Sequence, residues 1–298
     1  GGRLEGGSVV LNTSGVASNA GRIQSDGSMS LTAASFTNTA NVQSGGVLGI
    51  TATDLTNSGQ IDVFGGALIL EGLSTLDNSG GRLSSDTGVQ IGIRNAVDFG
   101  AASWGTVQSD GWLTLQGVNG GYMSALTVGT ADEIVANGAL YIKARGITNE
   151  GTIASAADTV ILQSNISNTG LIYAGGDVLA LRASGDVVND AGFILAANDM
   201  IICGNATANC LADLEADRAG SLTNRNGGVI ETFNGDMYLA ADTIENTTGG
   251  TETISSTGPT ELPLVNNDPG AGGGFGNDSY YYTKVAETIS AVNVTITG

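Results

Sequence analysis

The chain has 298 residues, and its 47 Gly, 3 Pro and 13% charged residues indicate a folded, turn-rich protein. Its 29 acidic and 10 basic residues give a net charge of −19, which excludes the basic surface needed to bind nucleic acids or anionic membranes. We find no apolar run of the ~18 residues that a transmembrane helix needs and no secretion leader. We therefore expect a segment of a longer protein that does not insert into a membrane.

Short apolar segments recur at a nearly fixed spacing in the N-terminal part of the chain. Asn19, Asn38 and Asn57 lie 19 residues apart, and each is followed four residues later by Ile or Val. Segments such as 48–52 (Leu-Gly-Ile-Thr-Ala) then alternate apolar with small or polar residues, which is typical of a strand with one buried face. A period of about 20 residues indicates a solenoid, whose repeats must stack to bury their apolar faces.

The repeat becomes longer in the middle of the chain and then regular again. Ser103 and Thr130 take the Asn position there, and we predict loop insertions near residues 95–102 and 119–126. Segments 149–163 and 168–182 align without a gap. A third, longer insertion is predicted near residues 203–220.

These patterns predict an all-β parallel β-helix of about 11 coils over residues 1–248, with almost no helix. Residues 249–298 do not repeat and contain all three prolines, so we expect them to form a non-repetitive C-terminal cap.

An Asn recurs at the start of most repeats. Its amide both donates and accepts hydrogen bonds, so stacked Asn side chains can bond from rung to rung; alternatively, they are simply turn residues. The predicted structural ladder consists of Asn19, Asn38, Asn57, Asn78, Asn149, Asn168, Asn189, Asn224 and Asn246.

The two cysteines, Cys203 and Cys210, enclose a short polar segment. We predict a disulfide that closes a small loop, which requires an oxidising compartment; the alternative is two free thiols in a reduced protein. The spacing and the absence of His argue against a zinc site. We expect no metal and no cofactor.

Aromatic residues are scarce, at 5% of the chain, but they cluster in or beside the two middle insertions. Trp112 aligns with Ser28, a position predicted to face outward. Exposed aromatic residues on a polar surface are typical of contact hot spots, whereas the alternative is a small satellite core under the loops. The candidate partner-binding residues are Phe99, Trp104, Trp112, Tyr122 and Met123.

Catalysis by paired carboxylates, as in the carbohydrate-active enzymes with a β-helix fold, has little support in the sequence. Asp26 and Asp110 share a register position but lie several predicted coils apart. The chain has no His and no Gly-x-Ser-x-Gly motif. We therefore predict a non-enzymatic protein, with a carbohydrate-active enzyme as a third alternative.

The tandem pattern Leu-Thr-Asn-x-Gly-x-Ile-x-(Ser/Ala)-x-Gly-x-Leu-x-Leu-x-Ala occurs over residues 8–248, for example at residues 55–61, 147–153 and 222–231. It resembles the filamentous haemagglutinin repeat of bacterial exoproteins exported by two-partner secretion. That family includes adhesins and CdiA-type effectors of contact-dependent growth inhibition. The resemblance implies a right-handed β-helix at a Gram-negative cell surface.

In CdiA-type proteins, the region after the first repeat block recognises a receptor on the target cell. The insertions favour such a recognition segment, which would serve toxin delivery by binding an outer-membrane protein or surface glycan of a neighbouring bacterial cell. The alternative is a structural shaft or adhesin module for attachment or biofilm formation. We expect an extracellular, monomeric segment in either case.

Overall fold

The computed structural model describes residues 2–93, 103–123, 125–163, 165–206, 210, 214, 216–247, 260–261, 281–282, 288–290 and 293–297. Contacts divide the chain into two compact units, residues 1–157 and 158–298. In the described ranges, no helix is both long and apolar enough to cross a membrane.

The first unit is built almost entirely from short strands. They are β1 Arg3–Gly6, β2 Val9–Asn12, β3 Val16–Asn19, β4 Arg22–Ser25, β5 Met29–Thr32, β6 Ser35–Asn38, β7 Asn41–Ser44, β8 Leu48–Thr51, β9 Asp54–Asn57, β10 Gln60–Val63, β11 Ala67–Leu73, β12 Thr75–Asp77, β13 Arg82–Ser85, β14 Gly88–Ile93, β15 Thr106–Ser109, β16 Trp112–Gly117, β17 Leu126–Val128, β18 Glu133–Ala136, β19 Leu140–Lys143, β20 Gly146–Asn149 and β21 Thr152–Ser155. A single 3₁₀ turn, Val118–Gly120, follows β16.

These strands form three parallel faces, because each strand pairs with its counterpart one turn later. The first face contains β1, β4, β7, β10, β13, β15, β18 and β21. The second contains β2, β5, β8, β11, β14, β16 and β19. The third contains β3, β6, β9 and β12, and later β17 with β20.

The second unit repeats the same scheme. Its strands are β22 Thr159–Gln163, β23 Asn165–Asn168, β24 Leu171–Ala174, β25 Val178–Ala183, β26 Asp186–Asp190, β27 Phe193–Ala196, β28 Asp199–Cys203, β29 Ala219–Arg225, β30 Val229–Thr232, β31 Asp236–Thr247, β32 Thr260–Glu261, β33 Tyr281–Tyr282, β34 Thr288–Ser290 and β35 Asn293–Thr297. The long β31 pairs with β28 through its first half and with β29 through its second half.

Both units are therefore parallel β-solenoids, and the prediction of an all-β parallel fold with about 11 turns and almost no helix is confirmed. Strands β34 and β35 pair in parallel with β30 and β31, beyond the predicted end of the repeats at residue 248. Most of the predicted C-terminal cap, residues 249–298, lies outside the described residues.

Alternation along each strand fills the interior with aliphatic side chains. On the second face, Leu48, Leu68, Val89 and Leu113 lie in register, and all four are fully buried. Burying each such side chain contributes about 1.5–3 kcal/mol. The intervening residues point outward, so the identity of those residues shapes the surface without disturbing the core.

The Asn side chains form a hydrogen-bonded ladder in each unit. In the first, the amide Nδ2 of Asn19, Asn38 and Asn57 donates to Oδ1 of the next Asn at 2.8, 2.7 and 2.6 Å. In the second, three further bonds of 2.7, 2.8 and 2.9 Å join Asn168, Asn189, Asn224 and Asn246. All of these side chains except Asn246 are buried. Each buried amide therefore hydrogen-bonds to the amide of the next rung instead of to water, along one corner of the solenoid.

Glycine often follows two residues after the ladder Asn because the backbones of successive rungs come very close there. A Cβ atom on Gly59 would lie 2.1 Å from the carbonyl oxygen of Ala40 in the preceding rung. Close stacking therefore requires glycine at position 59, whereas Ala40 occupies the same place in the preceding rung.

The ladder changes its chemistry in the middle of the first unit. Asn78 donates to the carbonyl oxygen of Trp104 at 2.5 Å, and the buried Asp132 accepts bonds from Ser103 Oγ at 2.7 Å and from the amide of Gly105 at 2.9 Å. Thr130, which the sequence alignment assigns to the Asn position, is exposed. That assignment is wrong, because a carboxylate two residues later accepts the donors of this corner.

Candidate ligand-binding groove

A polar groove of about 310 Å³ lies on the outer surface of the second face in the first unit. It spans four neighbouring strands, β8, β11, β14 and β16, and the 3₁₀ turn that follows β16. The lining residues are Thr51, Glu71, Gly72, Gln90, Gly92, Gln116, Gly117, Asn119 and Gly120. None of them has an apolar side chain, so the groove is suited to a polar ligand.

A β-bulge in β11 shapes one side of this groove. Leu70 pairs with Ile91, but the next pair in register is Leu73 with Ile93, so Glu71 and Gly72 together face Gly92. Gly72 has a φ of 74°, in the left-handed region that glycine adopts without steric cost. Bulges turn side chains away from their regular direction and are frequent beside functional sites. Here the bulge leaves Glu71 exposed at the edge of the groove.

The floor of the groove exists because Gly92 has no side chain. In β14, Val89 and Ile91 are buried in the core, so Gln90 and Gly92 are on the outer face. Gly92 pairs with Gln116 of the next strand. Adjacent strands are about 4.8 Å apart, so Glu71 and Gln116 stand roughly 10 Å apart with an empty position between them.

The insertion after β16 forms the other wall. Asn119 and Gly120 have φ values of 57° and 74°, which turn the chain sharply out of the strand. The Lys143 ammonium group donates to the Gly120 carbonyl oxygen at 2.8 Å and lies 4.8 Å from the centroid of the Tyr122 ring. The cation therefore fixes the turn by a hydrogen bond and by contact with an aromatic face.

The rest of this insertion is attached to the solenoid by backbone hydrogen bonds. The amide of Gly117 donates to the carbonyl of Gly121 at 2.8 Å, and the amide of Met123 donates to the carbonyl of Lys143 at 3.0 Å. Strand β17 on the third face begins at Leu126, the last residue of the predicted insertion at 119–126. The insertion gives way to a strand there because the apolar Leu126 and Val128 are buried.

The candidate partner-binding residues differ in their exposure to solvent. Trp104 and Met123 are fully buried, so neither side chain is accessible to a partner, and this part of the partner-binding prediction is wrong. Both fill the interior of the solenoid, where their apolar area is removed from water. Phe99 and the predicted insertion at 95–102 lie outside the described residues.

Trp112 and Tyr122 remain at the surface. Trp112 is 38% exposed, as its alignment with Ser28 predicts. Its indole covers Gly88, where an added Cβ atom would lie 2.3 Å from the ring atom Cε2. Tyr122 is half-buried against Lys143. Neither residue lines the groove.

The polar side chains that line the groove were not among the candidates predicted from the sequence. In the described part of the chain, the side chains of Glu71, Gln90, Gln116 and Asn119 make no hydrogen bond to one another or to other protein groups. Their donors and acceptors are therefore free for a ligand. One signal in the sequence marks the site: Glu71-Gly72 interrupts the alternation of β11.

Glu71 is the single carboxylate among the lining residues that the structure describes. Hydrolysis of a glycosidic bond in the usual way needs two carboxylates about 5–9.5 Å apart, so this set of residues favours binding over catalysis. No group of three or more His, Cys, Asp or Glu among the described residues is arranged to hold a metal ion.

A second irregular region, in the other unit, contains the cysteines. Cys203 and Cys210 are joined in a disulfide, with their Cα atoms 6.3 Å apart. The sulfurs pack with Ala240 in a small cluster of buried residues. The buried Asp217 accepts a hydrogen bond from the amide of Ala206 at 2.9 Å and so fixes the start of the loop.

Comparison of the chain with protein-family models, with curated proteins and with solved structures gives no match.

Replacing Gly88 by alanine is expected to displace the Trp112 ring, because the new Cβ atom and the indole cannot occupy the same space. Overpacking of this kind costs about 1–3 kcal/mol. We expect acrylamide to quench the tryptophan fluorescence more strongly, since the buried Trp104 is protected from the quencher. Gly49→Ala is the control, because a Cβ atom there meets nothing within 4 Å. Equal quenching of both variants would contradict this packing.

Reducing the disulfide is expected to make the second unit open more easily. Cross-linking a loop of about eight residues stabilises the folded state by about 2–3 kcal/mol in the chain-entropy treatment. Hydrogen exchange of the β28 amides should therefore accelerate on reduction, while exchange of the β5 and β8 amides in the first unit stays unchanged. Unchanged exchange in β28 would show that the cross-link does not stabilise this unit.

Proposed function

We propose that this chain is an extracellular, non-enzymatic recognition segment of a filamentous haemagglutinin-type exoprotein exported by two-partner secretion. It binds a receptor on the outer membrane of a neighbouring Gram-negative cell and thereby serves contact-dependent growth inhibition. The observation that carries the proposal is the groove, which is formed where an insertion interrupts an otherwise regular solenoid.

Three features support the proposal. The groove presents unpaired polar side chains on the outer surface, away from the core that maintains the fold. The insertion that forms its wall is fixed by Lys143, so a ligand would meet a preorganised surface with little entropy to lose. The Cys203–Cys210 disulfide is typical of proteins that function outside the reducing cytoplasm.

The alternative function, a structural shaft or adhesin module, has an observation of its own in its favour. Strands β1–β10 repeat without an insertion, and the ladder from Asn19 to Asn57 runs through them unbroken. Such a regular segment spaces other parts of a protein from the cell surface without binding anything itself.

Binding of the purified chain to intact Gram-negative cells distinguishes recognition through the groove from a structural shaft that binds nothing itself. In the test variant, residues 118–125 are replaced by the two-residue connection Ala52–Thr53, which joins β8 to β9 in a regular turn. Recognition through the groove predicts saturable binding by the wild type and at least about tenfold weaker binding by the variant.

Circular dichroism and a cooperative thermal transition serve as the control for folding of the variant. Equal cell binding by the wild type and the variant would show that the groove is not the recognition surface. An absence of wild-type binding across strains would contradict recognition and favour the shaft.

A further inference from the structure

We propose that the groove binds one or two units of a neutral glycan through Glu71, Gln90, Gln116 and Asn119. The biological setting of this inference, a surface glycan of a neighbouring cell, rests on the proposed function. The ligand class itself is inferred from the side chains, the charge and the size of the groove.

The hydrogen-bonding groups match those of a sugar. Gln90, Gln116 and Asn119 each present a carbonyl acceptor and an amide donor, and a sugar hydroxyl likewise both donates and accepts. The Glu71 carboxylate accepts from two hydroxyls, and hydrogen bonds to a charged acceptor are stronger than those between neutral groups. Because these side chains make no hydrogen bond within the described protein, binding a sugar breaks no internal bond.

The charge of the groove disfavours acidic ligands. Glu71 is the one charged residue among the described lining residues, and the whole chain has a net charge of −19. A phosphate, a sulfate or an acidic sugar would therefore be repelled. The nearby Lys143 ammonium group is already engaged by the Gly120 carbonyl oxygen and the Tyr122 ring, and none of the described lining residues is a cation. A neutral ligand meets no such penalty.

The lining also disfavours a protein segment as the ligand. Protein contacts rely on large apolar or aromatic anchors that enter a matching pocket, and the described lining residues include no apolar side chain to receive one. Its volume of about 310 Å³ lies at the lower end of small-ligand sites. The glycines of its floor and walls, Gly72, Gly92 and Gly117, allow the rings of a ligand to approach the backbone closely.

Filling the groove provides a test that does not disturb the fold. A Cβ atom on Gly92 would meet only the Leu70 carbonyl oxygen at 3.5 Å, an ordinary contact, and Gly92 is not among the glycines with positive φ. Gly92→Val should therefore fold normally and occupy the floor. Gly49→Val is the matched control, since Gly49 is an outward glycine of β8 that does not line the groove.

The probes are soluble gluco-, galacto- and manno-oligosaccharides of two to six units, with an oligogalacturonate as the acidic comparison. Binding is measured by calorimetry and by saturation-transfer NMR. We expect a neutral oligosaccharide to bind the wild type and Gly49→Val alike and the acidic one to bind more weakly. Gly92→Val should lose binding, and Gln116→Ala should weaken it by about tenfold.

The inference is overturned if no neutral oligosaccharide binds, or if Gly92→Val binds as well as the wild type. A parallel assay separates this inference from the proposed function. Saturable cell binding by a protein that binds no neutral oligosaccharide would overturn the glycan inference and leave cell recognition standing. Oligosaccharide binding without any cell binding would overturn cell recognition and leave the glycan site standing.

Discussion

Trp104→Ala is expected to lower the free energy of unfolding of the first unit by about 3–5 kcal/mol, the usual cost of truncating a buried aromatic residue. Trp104 is fully buried, and its carbonyl oxygen accepts the hydrogen bond from Asn78 that connects the ladder to the next turn. Truncation leaves a cavity in the interior that the rigid stack of rungs cannot close.

Trp112→Ala is the matched comparison, because Trp112 is 38% exposed and covers Gly88 on the outer surface. We expect it to cost less than about 1 kcal/mol, as is usual for surface positions. Denaturant unfolding followed by circular dichroism measures both variants. Similar losses for the two substitutions would contradict the different positions of these residues.

Asn57→Ala is expected to destabilise the first unit by about 1–3 kcal/mol, because it leaves the buried Oδ1 of Asn78 without its donor. Nδ2 of Asn57 donates to Oδ1 of Asn78 at 2.6 Å and to the carbonyl oxygens of Gly59 and Arg82, both at 3.2 Å. Asn57 is fully buried, so water cannot replace the lost donor without opening the stack.

Thr56→Ala provides the control for this substitution. Thr56 adjoins Asn57 in β9 but is exposed, so its truncation should change the free energy of unfolding by less than about 0.5 kcal/mol. Denaturant unfolding of the two variants under the same conditions gives the comparison. A loss below about 1 kcal/mol for Asn57→Ala would show that the Asn residues act as simple turn residues.

The fold could be predicted from the sequence because the same physical requirement recurs in every turn. Leu48 and Ile50 in one rung match Leu68 and Leu70 in the next, and each pair is buried in register. The Asn of the corner recurs for an equally local reason, since its amide bonds to its neighbour, and at Gly59 the close approach of the preceding rung excludes a side chain. Constraints that recur in every turn produce a period in the sequence, and this period is visible without a structure.

The candidate site could not be predicted in the same way because it arises where the repeat is broken. The groove depends on a bulge at Glu71–Gly72 and on Gly92. Because Gly92 has no side chain, the position between Glu71 and Gln116 is empty. These residues lie far apart in sequence and come together only through the register of the stacked strands. Their polar identities are ordinary for outward positions of a solenoid.

The prediction that Trp104 is available to a partner was wrong for a related reason. Trp104 lies at a corner where the ladder changes from Asn to a carboxylate, and there it turns inward and is buried. Composition alone identified an unusual residue near an insertion, but the direction of the side chain is determined by the backbone at that corner. Gly105, which follows it, has a φ of 53°.

Binding to intact Gram-negative cells by wild type, Gly92→Val and Gly49→Val, measured side by side across protein concentration, tests the central claim most directly. Recognition through the groove predicts that the wild type and Gly49→Val bind saturably with equal affinity and that Gly92→Val binds at least about tenfold more weakly. Equal binding by all three proteins, with all three folded, would contradict the assignment of the groove as the recognition surface.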